Sequence, residues 1–290
     1  MSGPGFLEKW QRASRERESL LCVGLDPELE RLPEPLRGGG PEALVRFCRE
    51  IVEATLPYAC AYKPNLAFFE ALGPQGWSLL SEVLAAIPPE VPVIADAKRG
   101  DIGHTARAYA RAIFEQLGCD AVTVQPYLGY DGLQPFLAYR EKLVFVLCRT
   151  SNPGARDFQD LLVQSAEVGE GAPEGAGSQA TPLYLVVAER VRRWQEQHGN
   201  CGLVAGATYP RELAAIRARC PELPLLVPGV GTQGGELEAA VRAGLDAHGG
   251  GILVAVSRAI LYADAGHDYA AAAGEAARHL RAAINQARGS

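Results

Sequence analysis

The chain has 290 residues, of which 48% are hydrophobic and 21% are charged, and its formal net charge is −6. This length suits a single α/β barrel, and the negative charge argues against nucleic acid or an anionic membrane as a partner. No apolar run approaches the ~20 residues that span a bilayer, and the charged amino terminus lacks the apolar segment of a signal peptide, so export is not expected.

Short apolar runs alternate with longer amphipathic segments along almost the whole chain. The runs predict strands at 19–25, 58–63, 91–95, 121–125, 143–148, 202–207, 223–228 and 251–256, and helical patterns include 42–56, 66–86, 104–117, 210–219 and 234–245. Near-continuous apolar strands are typical of a parallel sheet covered on both faces. Eight strands that each precede a helix predict a (β/α)8 TIM barrel, with a doubly wound open sheet as the alternative.

Two segments interrupt this alternation. Residues 32–40 (LPEPLRGGG) form a Pro- and Gly-rich loop after the first strand, and residues 165–180 are rich in Gly, Ala and Glu. The second segment is expected between two helices that both follow the fifth strand. Strand–helix alternation resumes after each, so we interpret both as loop insertions in one domain that spans 1–290.

The cysteines and histidines give no sign of a metal site. The seven cysteines include no C-x-x-C pair, and the five histidines show neither H-x-H nor H-E-x-x-H spacing. Several cysteines lie inside apolar runs, where they are expected to be small buried hydrophobic residues. This usage favours a cytoplasmic protein, with no metal and no cofactor predicted.

Polar residues collect at the carboxyl ends of the predicted strands, where barrels of this class place their chemistry. In chain order these residues are Asp26, Lys63, Asp96, Lys98, Gln125, Thr150, Ser151, the segment 228–235 (PGVGTQGG), Ser257 and Arg258. Loops are polar in general, but the number of paired opposite charges exceeds that background. One rim of the barrel is therefore the candidate site.

The densest cluster is Asp96, Lys98 and Asp101. Asp96 and Lys98 are two residues apart on an extended chain and therefore point the same way, while Asp101 falls at a helix start, where the dipole favours a carboxylate. Lys63 from the neighbouring strand completes an alternating Lys-Asp-Lys-Asp array. Two interpretations are open: a structural ion-pair network at the rim, or a lysine kept cationic to donate a proton.

The last two strand ends suggest an anion site. Residues 228–236 (PGVGTQGGE) leave a strand and open a helix, a geometry that points backbone N–H groups at a ligand. Ser257 is a candidate helix cap, whereas Arg258 in the first helical turn opposes the macrodipole unless an anion lies nearby. Because barrels commonly bind phosphate with the loops after strands seven and eight, the two segments together predict a phosphate site.

Five blocks, in order, resemble those of the orotidine 5′-monophosphate decarboxylase family. They are VGLDP (23–27), YKPNLAFFE (62–70), DAKRGDIGHT (96–105), TSNPG (150–154) and PGVGTQGG (228–235). The third matches the D-x-K-x-x-D-I-x-x-T signature, and the spacing fits the longer bacterial branch. The resemblance covers about residues 19 to 262 and implies conversion of orotidine 5′-monophosphate to uridine 5′-monophosphate and CO₂, the last step of de novo UMP synthesis.

The resemblance also implies residue roles in catalysis. Lys98 matches the lysine that protonates C6, and Asp96 matches the carboxylate placed against the substrate's own carboxylate. Asp101 matches an aspartate that reaches into the partner subunit's site, with Thr105 beside it and Ile102 as an apolar wall. The implied protein is a homodimer with shared active sites, and the implied mechanism stabilises a C6 carbanion electrostatically without metal or cofactor.

The remaining matches concern substrate binding. Lys63 and Asp26 match residues that hold the ribose hydroxyls, and Ser151 matches the serine that contacts the pyrimidine. Gly231 and Gln233 lie in the phosphate loop, and Gln233 with Arg258 matches the phosphate grip. Three nearby polar residues have no role in this interpretation: Asn65, His104 and Arg149.

Two other functions stay open on the sequence. One is a Mg²⁺-dependent enzyme of the same superfamily that acts on a 3-keto sugar phosphate. The other is a barrel that binds a phosphate ligand without catalysis. The second leaves the four charged residues Lys63, Asp96, Lys98 and Asp101 without a purpose, and Ser151 and Gln233 argue against the first.

Overall fold

Eight parallel strands form the centre of the structure, a computed structural model that describes residues 3–164, 180–230 and 234–289. In chain order they are β1 (Leu21–Leu25), β2 (Ala61–Pro64), β3 (Ile94–Arg99), β4 (Ala121–Val124), β5 (Leu143–Arg149), β6 (Cys201–Ala205), β7 (Leu225–Pro228) and β8 (Ile252–Val256). Each overlaps one predicted run, so all eight predicted strands are confirmed. Almost every strand residue is buried, as expected for a sheet covered on both faces.

The strands close into a barrel. Their order around the ring is β2-β1-β8-β7-β6-β5-β4-β3, and hydrogen-bonded neighbours are parallel throughout. Between β2 and β3 the described strand pairing consists of two isolated bridges, Tyr62 with Val93 and Asn65 with Asp96. These bridges form what we call the β2–β3 joint. The TIM-barrel prediction is confirmed over the doubly wound alternative.

The helices lie mainly between consecutive strands. They are α1 (Phe6–Glu16), α2 (Gly40–Thr55), α3 (Leu66–Glu70), α4 (Gly76–Leu84), α5 (Gly103–Arg111), α6 (Tyr130–Leu137), α7 (Leu183–His198), α8 (Pro210–Arg219), α9 (Gly234–Gly244), α10 (Arg258–Leu261) and α11 (Tyr269–Arg288). The single helix predicted at 66–86 is wrong, because Gly73 takes φ +72 and a 3-10 turn separates α3 from α4. The predicted helix at 104–117 is α5 followed by a π turn at Ala112–Gln116.

Apolar residues form two buried clusters. The larger lies between the strands and the surrounding helices. The smaller fills the barrel interior, where Phe6, Trp10 and Ala13 of α1 join side chains such as Phe145 and Leu253. Phe6 meets Phe145 edge-on at 5.8 Å between ring centroids. Helix α1 therefore covers the amino-terminal end of the barrel interior.

The structure describes the first predicted insertion in full and part of the second. Residues 32–39 connect to α2, which begins at Gly40, and they contain a 3-10 turn at Glu34–Leu36. Most of the second insertion lies outside the described residues, although a two-stranded antiparallel ribbon, Leu162–Val163 with Thr181–Pro182, flanks it. Among the described helices none combines the length and the apolar character needed to cross a membrane. That one domain spans 1–290 stays a prediction.

Candidate active site

An ion-paired array of three side chains lies at the carboxyl end of β2 and β3. Asp96 accepts from Lys63 Nζ at 2.7 Å through Oδ2 and from Lys98 Nζ at 2.5 Å through Oδ1. Thr123 of β4 donates its hydroxyl to the same Oδ1 at 3.0 Å. Asp96 is thus held by donors from three adjacent strands, and the prediction that Asp96 and Lys98 share a side is confirmed.

Burial and charge set the ionisation of this array. Burial acts to lower the pKa of Lys63, but Asp96 and Asp26 outweigh it and raise that pKa. Burial would likewise raise the pKa of Asp96, but Lys63 and then Lys98 hold it far below its usual range. The side chains of Lys63 and Asp96 are 7% and 11% exposed, whereas that of Lys98 is 50% exposed. Lys98 is therefore the charge that can turn toward a ligand.

The backbone of Lys98 is unusual. Its φ is +46, in the left-handed region that costs a residue with a side chain about 1–2 kcal/mol. The pairing register of β3 with β4 shifts between Ala95 and Arg99, and Thr123 Oγ1 accepts the backbone N–H groups of both Ala97 and Lys98 at 3.0 Å. Thr123 therefore stabilises a bulge that aims Lys98, a role that sequence analysis missed although it is the only polar residue of β4.

A cavity of about 590 Å³ opens beside the array. Its wall includes Asp26, Lys63, Asp96, Ser257 and Arg258, so these predicted site residues come together. Asp26 Oδ1 is buried and has no hydrogen-bond partner among the described residues. An unpartnered buried carboxylate oxygen is a candidate acceptor for a ligand hydroxyl.

Three glycines let the rim residues approach closely. A Cβ on Gly24 would lie 2.7 Å from Ser257 Cβ, and one on Gly206 would lie 2.8 Å from Ser151 N. Gly229, with φ +83, also approaches the Ser151 side chain. Ser151 is thereby packed against the ends of β6 and β7. Ser257 occupies the position before α10, but its side chain makes no capping hydrogen bond, so the predicted cap is only positional.

Among the described residues, five predicted site residues are absent from the cavity wall: Lys98, Asp101, Ile102, Thr105 and Ser151. Asp101, Ile102 and Thr105 follow β3 at the surface, and Ile102 is 58% exposed. Asp101 Oδ1 accepts the N–H of Ile102 at 2.8 Å, and no described residue forms an ion pair with it. The predicted four-membered Lys-Asp-Lys-Asp array is therefore three-membered among the described residues of one chain, because Asp101 lies beyond the end of β3 and forms no ion pair with Lys98. Gly231 and Gln233 lie outside the described residues.

The polar residues without a predicted role have structural partners. Asn65 caps α3 by accepting the N–H of Ala67 at 3.2 Å. Arg149 is buried, pairs with Asp160 at 2.8 Å, and stacks over the Tyr209 ring at 4.1 Å, which ties the loop after β5 to the loop after β6. His104 is exposed next to Arg107.

A larger cavity, of about 820 Å³, lies at the opposite end of the barrel beneath α1. It lacks the paired cations and carboxylate of the rim, and its wall mixes polar and charged side chains without a dominant sign. Within the described ranges there is no group of three or more His, Cys, Asp or Glu side chains that could hold a metal ion. We therefore assign the candidate active site to the cavity at the carboxyl end.

Known proteins resemble this chain over nearly its full length. The model of the orotidine 5′-phosphate decarboxylase / HUMPS family matches residues 19–273. A curated orotidine 5′-phosphate decarboxylase of Thermomicrobium roseum is 52% identical over 283 residues, which cover 98% of this chain and 96% of the relative. The counterpart of Bordetella pertussis is 48% identical over 98% of this chain and 99% of its own.

Solved structures agree with the sequence matches. The structure of Leishmania donovani OMP decarboxylase has a TM-score of 0.82 and 43% identity, with 99% of each chain covered. A putative orotidine-monophosphate-decarboxylase from Toxoplasma gondii has a TM-score of 0.86 and 39% identity, with 98% of this chain and 96% of that chain covered. The family predicted from five sequence blocks is thus confirmed, and the chain belongs to the orotidine 5′-phosphate decarboxylase / HUMPS family.

Proposed function

We propose that the chain decarboxylates orotidine 5′-monophosphate to uridine 5′-monophosphate and CO₂, the last step of de novo UMP synthesis. Family membership and relatives named as this decarboxylase, a carboxy-lyase, support the reaction class. The observation that carries the proposal is the Lys63–Asp96–Lys98 array, of which Lys63 and Asp96 line a cavity whose wall also contains Asp26 and Arg258.

The chemistry requires stabilisation of negative charge at carbon. When the bond from C6 to the carboxylate breaks, its electron pair stays on C6 in an orbital that the ring cannot delocalise well, and CO₂ leaves. A fixed cation beside C6 stabilises this charge without reorganisation. The Lys98 ammonium is that cation, and transfer of its proton to C6 completes the uracil ring.

Asp96 acts as a fixed negative charge. Its depressed pKa keeps it ionised at neutral pH, so it lies as a carboxylate near the place of the substrate's own carboxylate. Repulsion between the two carboxylates disappears as neutral CO₂ forms, and the pairing with Lys98 persists. Any rate gain from this repulsion adds to the stabilisation that Lys98 provides in the transition state.

The rest of the cavity fits the ribose and phosphate. Asp26, with its free buried oxygen, accepts a ribose hydroxyl, and Lys63 donates to one. Arg258 forms no ion pair with any residue in the described part of the chain, which leaves its guanidinium free for the phosphate. Ser151 contacts the pyrimidine, and Gly231 and Gln233 take part in binding the phosphate.

Loss of orotidine 5′-monophosphate absorbance tests the proposal. Purified protein that has been dialysed against EDTA is expected to turn over this substrate as fast as untreated protein, because the proposed chemistry uses only the charges of the chain. The measurement is ultraviolet absorbance before and after addition of Mg²⁺. Activity that EDTA abolishes and Mg²⁺ restores would instead favour the enzyme acting on a 3-keto sugar phosphate, and absence of any turnover would favour a binding protein.

We further propose a homodimer in which Asp101, Ile102 and Thr105 complete the partner's site. Exposed apolar residues support a covered surface here, since Ile102 is 58% exposed, Tyr127 85% and Leu128 45%. Gly132 brings them together, because a Cβ there would lie 3.1 Å from the Asp101 carbonyl oxygen and 3.3 Å from Leu128 Cβ. Neighbouring exposed apolar side chains of this kind are typical of protein interfaces.

A mixed dimer of two inactive variants tests the shared site. Asp101→Ala damages the partner's site and Lys98→Ala damages its own, so in a heterodimer both changes fall in one site and the other stays intact. We expect mixing to restore up to about half of the wild-type activity per heterodimer. The assay is turnover after subunit exchange, with exchange followed by mass spectrometry. Confirmed exchange without restored activity would place Asp101 outside the partner's site.

The cytoplasmic location stays a prediction.

A further inference from the structure

Arg31 is a cation of the candidate cavity that the sequence interpretation does not include. It lies in a 3-10 turn, Leu29–Arg31, that follows β1. Its side chain forms part of the same cavity wall as Asp26 and Arg258. The wall thus has two arginines that approach from loops on adjacent strands, β1 and β8.

The position of Arg31 is fixed by an aromatic ring. Its guanidinium carbon lies 3.7 Å from the centroid of the Tyr262 ring, a close cation–π contact. Tyr262 also stacks on the fully buried Phe47, with 6.0 Å between centroids and 18° between planes. A stacked guanidinium loses little further freedom when it binds a ligand. The Arg31 guanidinium is therefore preorganised for ligand binding.

Tyr262 connects Arg31 to both ends of the proposed substrate site. Its hydroxyl accepts the N–H of Glu28 at 2.8 Å and donates to the Asp26 carbonyl oxygen at 3.3 Å. Its backbone N–H donates to the Arg258 carbonyl oxygen at 3.1 Å. The turn that bears Arg258 and the loop that bears Asp26 and Arg31 therefore form one connected unit.

The charges around Arg31 indicate an anionic ligand. Its partner in the structure is Glu28, at 3.1 Å, in an ion pair whose two side chains are 41% and 36% exposed. An exposed pair of this kind contributes little to stability. A phosphate dianion offers a guanidinium a stronger, bidentate partner than a single exposed carboxylate does. Glu28 is thus a competitor that the ligand displaces.

We propose that Arg31 is a second phosphate-binding residue, which shares the 5′-phosphate of the substrate with Arg258. On binding, Arg31 exchanges Glu28 for the phosphate while it keeps its contact with the Tyr262 ring. The inference rests on the proposed function for the identity of the ligand. It adds that two guanidinium groups, and not one, hold the phosphate.

Binding of uridine 5′-monophosphate and of uridine, measured by titration calorimetry, tests this inference. Arg31→Gln is expected to weaken the nucleotide at least tenfold and uridine less than twofold. Glu28→Gln, which removes the competitor, is expected to tighten the nucleotide about two- to threefold. Arg37→Gln is the matched control, because Arg37 lies in the same loop, donates to the Leu32 carbonyl oxygen at 3.3 Å and is absent from the cavity wall.

The outcomes separate this inference from the function it rests on. Equal losses for nucleotide and nucleoside in Arg31→Gln would show that Arg31 only supports the loop, and unchanged binding in both Arg31→Gln and Glu28→Gln would exclude Arg31 from the phosphate. If Arg31→Gln does not fold, the tighter nucleotide binding expected for Glu28→Gln still tests the inference. Wild-type protein that fails to turn over orotidine 5′-monophosphate would contradict the proposed function, whatever the variants do.

Discussion

Replacement of Lys98 by alanine is expected to lower kcat by about four orders of magnitude or more, or ~5 kcal/mol of barrier. The change removes both the cation that stabilises charge at C6 and the proton donor. It leaves Asp96 paired with the buried Lys63, so no unpaired buried charge results. The side chain of Lys98 is half exposed, so little packing is lost. Absorbance assays at saturating substrate give the rate.

Lys98→Gly is the control that separates chemistry from folding. Glycine adopts positive φ without strain, so this variant is expected to be about 1 kcal/mol more stable than Lys98→Ala while equally inactive. Thermal unfolding of both variants gives the comparison. If Lys98→Ala kept even a tenth of the wild-type rate, Lys98 would belong to a structural ion-pair network at the rim.

Arg217→Met is expected to destabilise the protein by about 3–5 kcal/mol with kcat unchanged. Arg217 of α8 is 8% exposed, and burial lowers its pKa. Its guanidinium donates to five carbonyl oxygens from two connections at the amino-terminal end of the barrel, the one between α8 and β7 and the one between α9 and β8. Methionine keeps much of the apolar volume but leaves those oxygens without donors in a buried setting.

Arg219→Met is the matched control for Arg217. Arg219 lies two residues away on the same helix, but it is paired with Glu189 at 3.0 Å on the surface. Its loss is expected to change the free energy of unfolding by less than about 1 kcal/mol. Urea unfolding measures both variants. A loss below 1 kcal/mol in Arg217→Met would mean that water replaces the arginine at those carbonyl groups.

The strands could be predicted because burial on both faces leaves a continuous apolar run in the sequence. Helix α1 could not be predicted in this way, because its apolar residues Phe6, Trp10 and Ala13 are spread through a charged segment. Their packing partners are side chains of the barrel interior, which only the folded structure brings next to α1. The break between α3 and α4 was missed because Gly73 and Pro74 lie inside an otherwise helical pattern.

The residues of the candidate site also fall into those that could be predicted from the sequence and those that could not. Asp26, Lys63, Asp96 and Arg258 were found because each lies at a strand end, and parallel strands bring these ends together. Arg31 was missed because it lies six residues beyond the end of β1, and its place depends on Tyr262 from the far end of the chain. Asp101, Ile102 and Thr105 came from the resemblance alone, and their role needs a second copy of the chain.

The β2–β3 joint bears on how variants of the charged array should be interpreted. Lys63 lies on β2 and Asp96 on β3, the neighbouring strands whose described pairing consists of isolated bridges. Their ion pair therefore spans the place where the barrel opens most easily. A reduced rate in an Asp96 variant would therefore have two causes, the loss of the Asp96 charge from the site and local opening of the barrel at the β2–β3 joint. The Lys98→Ala change leaves the Lys63–Asp96 pair intact, so its effect on the rate reflects the chemical step more directly. Amide hydrogen exchange at Tyr62 distinguishes the two effects, since only opening raises it.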